Sequence, residues 1–234
     1  MKPRYLLCDL DQTVYPASSG LLASIARRMT RFVSDFLQVG PEEATVTRRE
    51  LSARYGTTVL GLLERHGLGD PAGYMAYVHD LDVSSFLEPD PELRAALLSL
   101  PCPAAILTNS PAEHARRVLD RLAIADCFEH IFDIRFNNYR GKPELSAYKR
   151  VLEVIGMAAE EVLFVDDRPD YLLPFRNLGG RVVLCAENGG RGGEDMHPVS
   201  DAIEGLPSIA STASIASVAS LKELPALLAS WGGR

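Results

Sequence analysis

Three short apolar runs, far apart in the chain, each lead straight into polar residues capable of chemistry. Leu6-Leu7-Cys8 runs into Asp9-Leu10-Asp11-Gln12-Thr13, Ala104-Ala105-Ile106-Leu107 into Thr108-Asn109, and Val162-Leu163-Phe164-Val165 into Asp166-Asp167. Unbroken apolar runs of this length read as strands buried on both faces, the kind that parallel sheets use. In open α/β sheets ligands gather at the carboxyl ends of such strands. The chain is therefore expected to bring these polar residues to one edge, with Lys142 supplied from the interval between the last two.

The rest of the chain fits that frame. From Pro89 onward strand-like and helix-like segments alternate: helix from Pro91, strand 104–107, helix 111–122, a short strand near 131–135, helix 144–155, strand 162–166, helix 169–178 and strand 181–185. Alternation of this kind means a doubly wound parallel sheet with right-handed crossovers. Between residues 17 and 87 no strand-like run occurs. Apolar residues there recur at helical spacing (Leu21, Leu22, Ile25, Met29, Phe32, Val33, Phe36, Leu37), Pro41 opens a second helix with Glu42 and Glu43 in its first turn, and Gly56 and the 67–71 segment break the pattern. The expected organisation is an α/β core of residues 1–16 and 88–234 carrying a helical insert, residues 17–87. Residues 187–194, with two Gly-Gly pairs, read as a mobile loop; residues 208–220, rich in Ser and Ala, read as linker or surface; Leu221 to Trp231 reads as a short docking helix.

Charge narrows the function classes. The net charge of −7 and the pI near 5.3 argue against binding nucleic acid or an acidic membrane, both of which need a basic face. No apolar run has membrane-spanning length and no leader pattern opens the chain, so a cytoplasmic location is expected. The four cysteines (Cys8, Cys102, Cys127, Cys185) show no metal spacing and read as structural thiols of a reducing compartment. The five histidines, His66, His79, His114, His130 and His197, show no ligand spacing either, and His66 and His79 read as surface or packing residues of the insert.

The polar residues suit phosphoryl transfer. Asp9 and Asp11, two apart on an extended segment, would face one point, which is unfavourable unless a cation or proton lies between them. With Mg²⁺ present, one carboxylate can attack phosphorus while binding the metal, and the other can serve as acid and then base. Asp166 and Asp167 would complete an oxygen-rich site of the sort Mg²⁺ prefers. Thr108 and Asn109, before a helix start, could hold phosphoryl oxygens; Thr, Asn and Ser110 equally suit a plain N-cap. Lys142, between Gly141 and Pro143, could offset the negative charge that accumulates. The Walker-type phosphate loop is absent.

In these motifs the chain resembles the haloacid dehalogenase superfamily of aspartyl-phosphate phosphatases. The matching residues are Asp9 to Thr13, Leu107-Thr108-Asn109, Gly141-Lys142-Pro143 and Val165-Asp166-Asp167. It is similar to one branch in particular, the pyrimidine 5′-nucleotidases, through Thr13-Val14-Tyr15-Pro16, Ser18 to Leu21, Tyr55-Gly56-Thr57-Thr58 with Gly61-Leu62, Pro89 to Leu93, and Ala115 to Phe128. The resemblance implies a Rossmann-like core with a helical cap and Mg²⁺-dependent hydrolysis of phosphate monoesters. Asp9 would be the nucleophile and Asp11 the general acid/base, giving the metal its main-chain carbonyl as well. Thr108 and Asn109 would hold the phosphoryl group, Lys142 would stabilise charge, and Asp167, supported by Asp166, would bind the metal. Two departures stand out: Gln12 replaces a frequent Asn, and in the last motif Tyr171 occupies an Asn position while Asp170 falls one residue early.

The implied substrate is a small phosphorylated metabolite, a nucleoside 5′-monophosphate such as UMP or CMP, handled by a monomer or homodimer. A sugar phosphate or phosphoglycolate, phosphomutase turnover, and a phosphate-binding domain without turnover stand as alternatives. Tyr15 and the Gly56-Thr57-Thr58 turn are the candidates for substrate choice, and both equally suit packing of cap on core.

Overall fold

The computed structural model describes residues 2–187 and 215–231. Six parallel strands form one sheet in the order β3-β2-β1-β4-β5-β6. They are β1 (Tyr5–Cys8), β2 (Ala104–Leu107), β3 (His130–Phe132), β4 (Val162–Asp166), β5 (Arg181–Cys185) and β6 (Ala216–Val218). The three apolar runs are its central strands, and every residue of β1, β2 and β4 is buried. Leu7 lies between Ala105 and Phe164 in register.

Alternation along each strand divides the core into two. Leu6 and Cys8 face one side with Ile106, Leu163 and Val165, covered by α1 (Leu21–Leu37), α5 (Pro91–Leu98), α6 (Ala112–Arg121) and α9 (Leu224–Trp231). Tyr5 and Leu7 face the other with Ala105, Leu107 and Phe164, covered by α7 (Leu145–Ile155) and α8 (Pro169–Asn177). Helices on both faces make the fold a doubly wound, Rossmann-like α/β sheet.

Between β1 and α5 the chain forms α1, α2 (Pro41–Tyr55), α3 (Thr58–His66) and α4 (Pro71–Val78). Proline at the first helical position and side-chain caps explain several starts. Thr57 accepts from the Leu60 N–H, Asp70 from Gly73 and Asp90 from Leu93. These helices share their own apolar cluster, including Val33, Leu51, Leu62, Tyr74 and Val78, which Ile134 joins from beyond β3. Leu21 and Ile25 at the start of α1 belong to the sheet's cluster, so α1 runs from one core into the other.

The tract of residues 208–220 differs from expectation at its end. Ala216–Val218 is a strand, not linker, pairing with β5 through Val183↔Ala216 and Cys185↔Val218. A three-residue edge strand carries no pattern of its own, and the exposed edge of β5 supplies its partner groups. Residues 208–214 of that tract, and residues 188–194 of the glycine-rich segment, lie outside the described residues. All four cysteines are free thiols, with Cys8 and Cys185 buried. No helix among the described residues is long and apolar enough to cross a membrane.

Candidate active site

The strand order reverses at β1, whose neighbours are β2 on one side and β4 on the other. Such a switch point opens a crevice at the carboxyl ends of the strands. Asp9 sits there because its N–H continues the ladder, donating to the Val165 carbonyl at 2.9 Å, which sets it beside Asp166. Thr108 is fixed likewise by its N–H on the Phe132 carbonyl at 3.0 Å.

After Leu10 the chain turns. Gln12 adopts a left-handed φ of 65°, and the Thr13 and Val14 N–H groups both return to the Leu10 carbonyl. That turn folds two side chains back on the acids four residues earlier. The Thr13 hydroxyl donates to Asp9 Oδ2 at 3.3 Å, and the Tyr15 hydroxyl donates to Asp11 Oδ1 at 2.5 Å.

Lys142 is wholly buried, and its Nζ lies 2.6 Å from both Asp9 Oδ1 and Asp166 Oδ2. The rings of Phe164 and Tyr171 flank the ammonium at 5.4 and 5.2 Å. A clamp aims it. Asn109 accepts from the Lys142 N–H at 2.9 Å and donates to the Lys142 carbonyl at 2.8 Å. The close approach requires glycine next door, because a Cβ on Gly141 would fall 2.0 Å from Asn109 Oδ1. The Asn109 amide, expected on a phosphoryl oxygen, is thus engaged in holding the lysine loop.

Asp9, Asp166 and Asp167 each present an oxygen within 4.8 Å of the others'. One ammonium faces three carboxylates. Burial pushes the Asp9 carboxyl up to about 7, with Lys142 opposing and Asp166 and Asp11 adding to the rise. Burial, then the charges of Asp166 and Asp9, push Asp167 well above the usual range. Crowded, desolvated carboxylates of this kind hold their charge readily once a cation joins them. The donor set, all oxygen, is the one hard divalent cations take.

Asp11 is in a different state. Burial alone would raise it, but His114, Ser110 and Tyr15 together hold its carboxyl well below the usual range. Ser110 Oγ donates to Oδ2 at 2.6 Å, and His114 Nε2 lies 3.0 Å from Oδ1. His114 projects from the first turn of α6 and is 1% exposed. Residues 108–110 do not cap that helix by their side chains; the Ala112 N–H donates to Asp133 Oδ2 instead, at 3.0 Å. The Thr108 hydroxyl accepts from the Ser110 N–H at 3.0 Å, which leaves its proton to give.

The last motif departs from expectation in an interpretable way. Asp170 forms a two-point pair with Arg168, and the Arg168 guanidinium lies 4.2 Å over the Tyr171 ring. Asp170 therefore stands outside the three-carboxylate group. The insert approaches the same edge. A Cβ on Gly56 would lie 3.2 Å from Pro143 Cδ, Arg140 pairs with Glu64, and Arg117 Nη2 donates to the His79 carbonyl at 2.6 Å. Of the residues expected from sequence, the structure brings Asp9, Asp166, Asp167 and Lys142 together and sets Asn109 on the Lys142 backbone; the sequence did not point to His114, Ser110 and the Tyr15 hydroxyl as partners of Asp11. The visible signal was spacing, since Ser110 and His114 are four apart where a helix begins.

A Rossmann-like sheet with an acidic, lysine-bridged switch point defines a class of α/β hydrolases. A family model described as haloacid dehalogenase-like hydrolase matches residues 3–179, and the chain belongs to that family. Phosphate metabolism protein 8 of Saccharomyces cerevisiae is 28% identical over 195 residues, 77% of this chain and 61% of that protein. The chain thus spans about three fifths of the curated relative's length. Among solved structures, L-2-haloacid dehalogenase from Xanthobacter autotrophicus aligns with a TM-score of 0.58 at 19% identity, covering 97% of this chain and 98% of that one. A HAD phosphatase from Thermococcus onnurineus aligns with a TM-score of 0.57 at 18% identity, covering 96% and 97%. These two share the fold.

Proposed function

We propose that the chain is a Mg²⁺-dependent phosphomonoesterase working through an aspartyl-phosphate on Asp9. The observation that carries this reading is the pairing of a buried, lysine-bridged Asp9 with a separately held Asp11. Asp9 attacks phosphorus and the P–O bond to the alcohol breaks; Asp11, ionised before substrate binds, takes a proton from the incoming phosphate monoanion and passes it to the departing oxygen. Water then attacks the phosphoryl group, Asp11 takes the water's proton, the bond to Asp9 breaks, and inorganic phosphate leaves. The Ser110 and Tyr15 hydroxyls can each change from donor to acceptor, so their contacts serve Asp11 in both protonation states. Thr108 donates to a phosphoryl oxygen, and Lys142 offsets the charge that develops on Asp9 and the phosphoryl group, with Asn109 holding it in place. Asp9, Asp166, Asp167 and the Asp11 carbonyl would hold Mg²⁺, which when bound neutralises phosphate charge and orients the ester.

Dehalogenases share this fold, but expulsion of halide from carbon needs no acid on the leaving group. A carboxyl at position 11, held by three donors, has a use in the phosphatase reading and none in that one.

For substrate, the reading is a nucleoside 5′-monophosphate of the pyrimidine series, supported by the branch-level motifs; a sugar phosphate or phosphoglycolate is the alternative. Residues 17–87 are read as a cap over a core of residues 1–16 and 88–234, with the Gly56 turn meeting the Lys142 loop and closing on substrate. The test is phosphate release at neutral pH from UMP, CMP, AMP, GMP, phosphoglycolate and sugar phosphates, with Mg²⁺ and with EDTA. Mg²⁺-dependent release led by UMP and CMP supports the whole reading. Another preferred ester keeps the chemistry and discards the nucleotide. Release unaffected by EDTA, or none at all, overturns the proposal.

A further inference from the structure

We infer that His114 is a positioning residue that orients the Asp11 carboxylate so that Oδ2 alone exchanges protons with the reacting oxygens. The inference rests on the phosphatase reading and assigns a role to a residue that reading does not use.

The geometry is asymmetric. Asp11 Oδ1 meets two donors, the Tyr15 hydroxyl at 2.5 Å and His114 Nε2 at 3.0 Å. Oδ2 meets one, the Ser110 hydroxyl at 2.6 Å. A carboxylate only accepts, so His114 must carry its proton on Nε2. An imidazole N–H cannot turn away as a hydroxyl can. A proton on Oδ1 would therefore confront the Nε2 proton, whereas one on Oδ2 needs only a rotation of Ser110. His114 decides which oxygen does the work.

Two further observations separate this role from packing. His114 Nδ1 is buried with no hydrogen-bond partner among the described residues. A side chain kept only to fill space there would do better as Leu or Met, which leave no polar atom unpaired. The ring is also braced. His79 lies against it, ring centres 4.9 Å apart, and is itself fixed by its Nδ1 on the Met75 carbonyl at 2.9 Å and by Arg117 on its own carbonyl.

The test compares His114→Gln with His114→Met, side chains of similar length of which Gln keeps an N–H donor. For each, kcat/KM is measured on an alkyl monoester, whose leaving oxygen needs a proton, and on p-nitrophenyl phosphate, whose phenolate leaves without one. The alkyl-to-aryl ratio is expected to fall about 10²-fold in His114→Met and to stay near the wild-type value in His114→Gln. Equal losses on both esters in His114→Met would show a structural role and overturn the inference. ¹⁵N NMR of the histidine-labelled wild type gives a second reading that needs no variant to fold. The proton on Nε2 is expected, and a proton on Nδ1 alone overturns the assignment. Turnover of neither ester by the wild type would sink the phosphatase reading, and the NMR result would still decide the His114–Asp11 contact.

Discussion

The Lys142 ammonium stands 2.6 Å from the Asp9 carboxylate across 133 positions of sequence, the lysine wholly buried and the aspartate side chain 9% exposed. Taking one partner from a buried ion pair leaves the other uncompensated. Here the loss would strand two, since Asp166 shares the same ammonium. Lys142→Met is expected to lower stability by about 3–5 kcal/mol and to abolish turnover. Urea unfolding in EDTA reads the first effect and phosphate release the second. An unchanged urea midpoint would mean that the lysine contributes no net stability.

Much of that relationship was written in the chain. The strands β1, β2 and β4 are local apolar runs, and a parallel sheet leaves their polar ends at one edge, so Asp9, Thr108 and Asp166 could be gathered without coordinates. Lys142 needed the motif, because nothing local aims it. Two things were not legible. The strand Ala216–Val218 takes its place from the unpaired edge of β5, not from its own residues. The partners of Asp11 come from a turn that folds Tyr15 back and from the angle at which α6 meets the sheet, both tertiary facts.

Gly141 offers a sharper probe of the lysine loop than removing the charge. Its Cβ position coincides with the Asn109 side chain, 2.0 Å from Oδ1. Gly141→Ala must break the clamp on the Lys142 backbone and let the ammonium drift from Asp9. A stability loss of about 1–3 kcal/mol is expected, with a larger fall in kcat than in substrate affinity. Gly40→Ala is the control, since a Cβ there meets nothing within 4 Å and φ is −66°. Calorimetry and steady-state kinetics on both variants would check this, and equal behaviour would show that the clamp is dispensable.

His79 sets a pH dependence. Burial, then the neighbouring His114, bring its pKa from the usual 6.5 down to about 4, against the pull of the Met75 carbonyl. Between those values the unfolded chain binds a proton that the folded one refuses, so stability rises with pH across the window. The contribution is complete above about 6.5 and is lost as pH falls towards 4, a total of about 3 kcal/mol. Urea titrations at several pH values should show this slope, and His79→Leu should flatten it. A slope that persists unchanged in the variant would assign the effect to other groups.

The irregular last motif can be settled by metal titration. Asp167 stands within the three-carboxylate group and is partly exposed, as a residue meeting a cation from solvent would be. Asp170 has both oxygens on Arg168, and using it as a ligand would strip that guanidinium of its partner. Asp167→Asn is therefore expected to raise the Mg²⁺ concentration for half-maximal phosphate release by about 10–100-fold. Asp170→Asn should leave that midpoint close to the wild type and act on stability instead, through Arg168 and the Tyr171 ring beneath it. If Asp170→Asn moved the midpoint as far as Asp167→Asn does, the arginine pair would have to open when metal binds, and Asp170 would take the role that the shifted spacing of this motif left vacant.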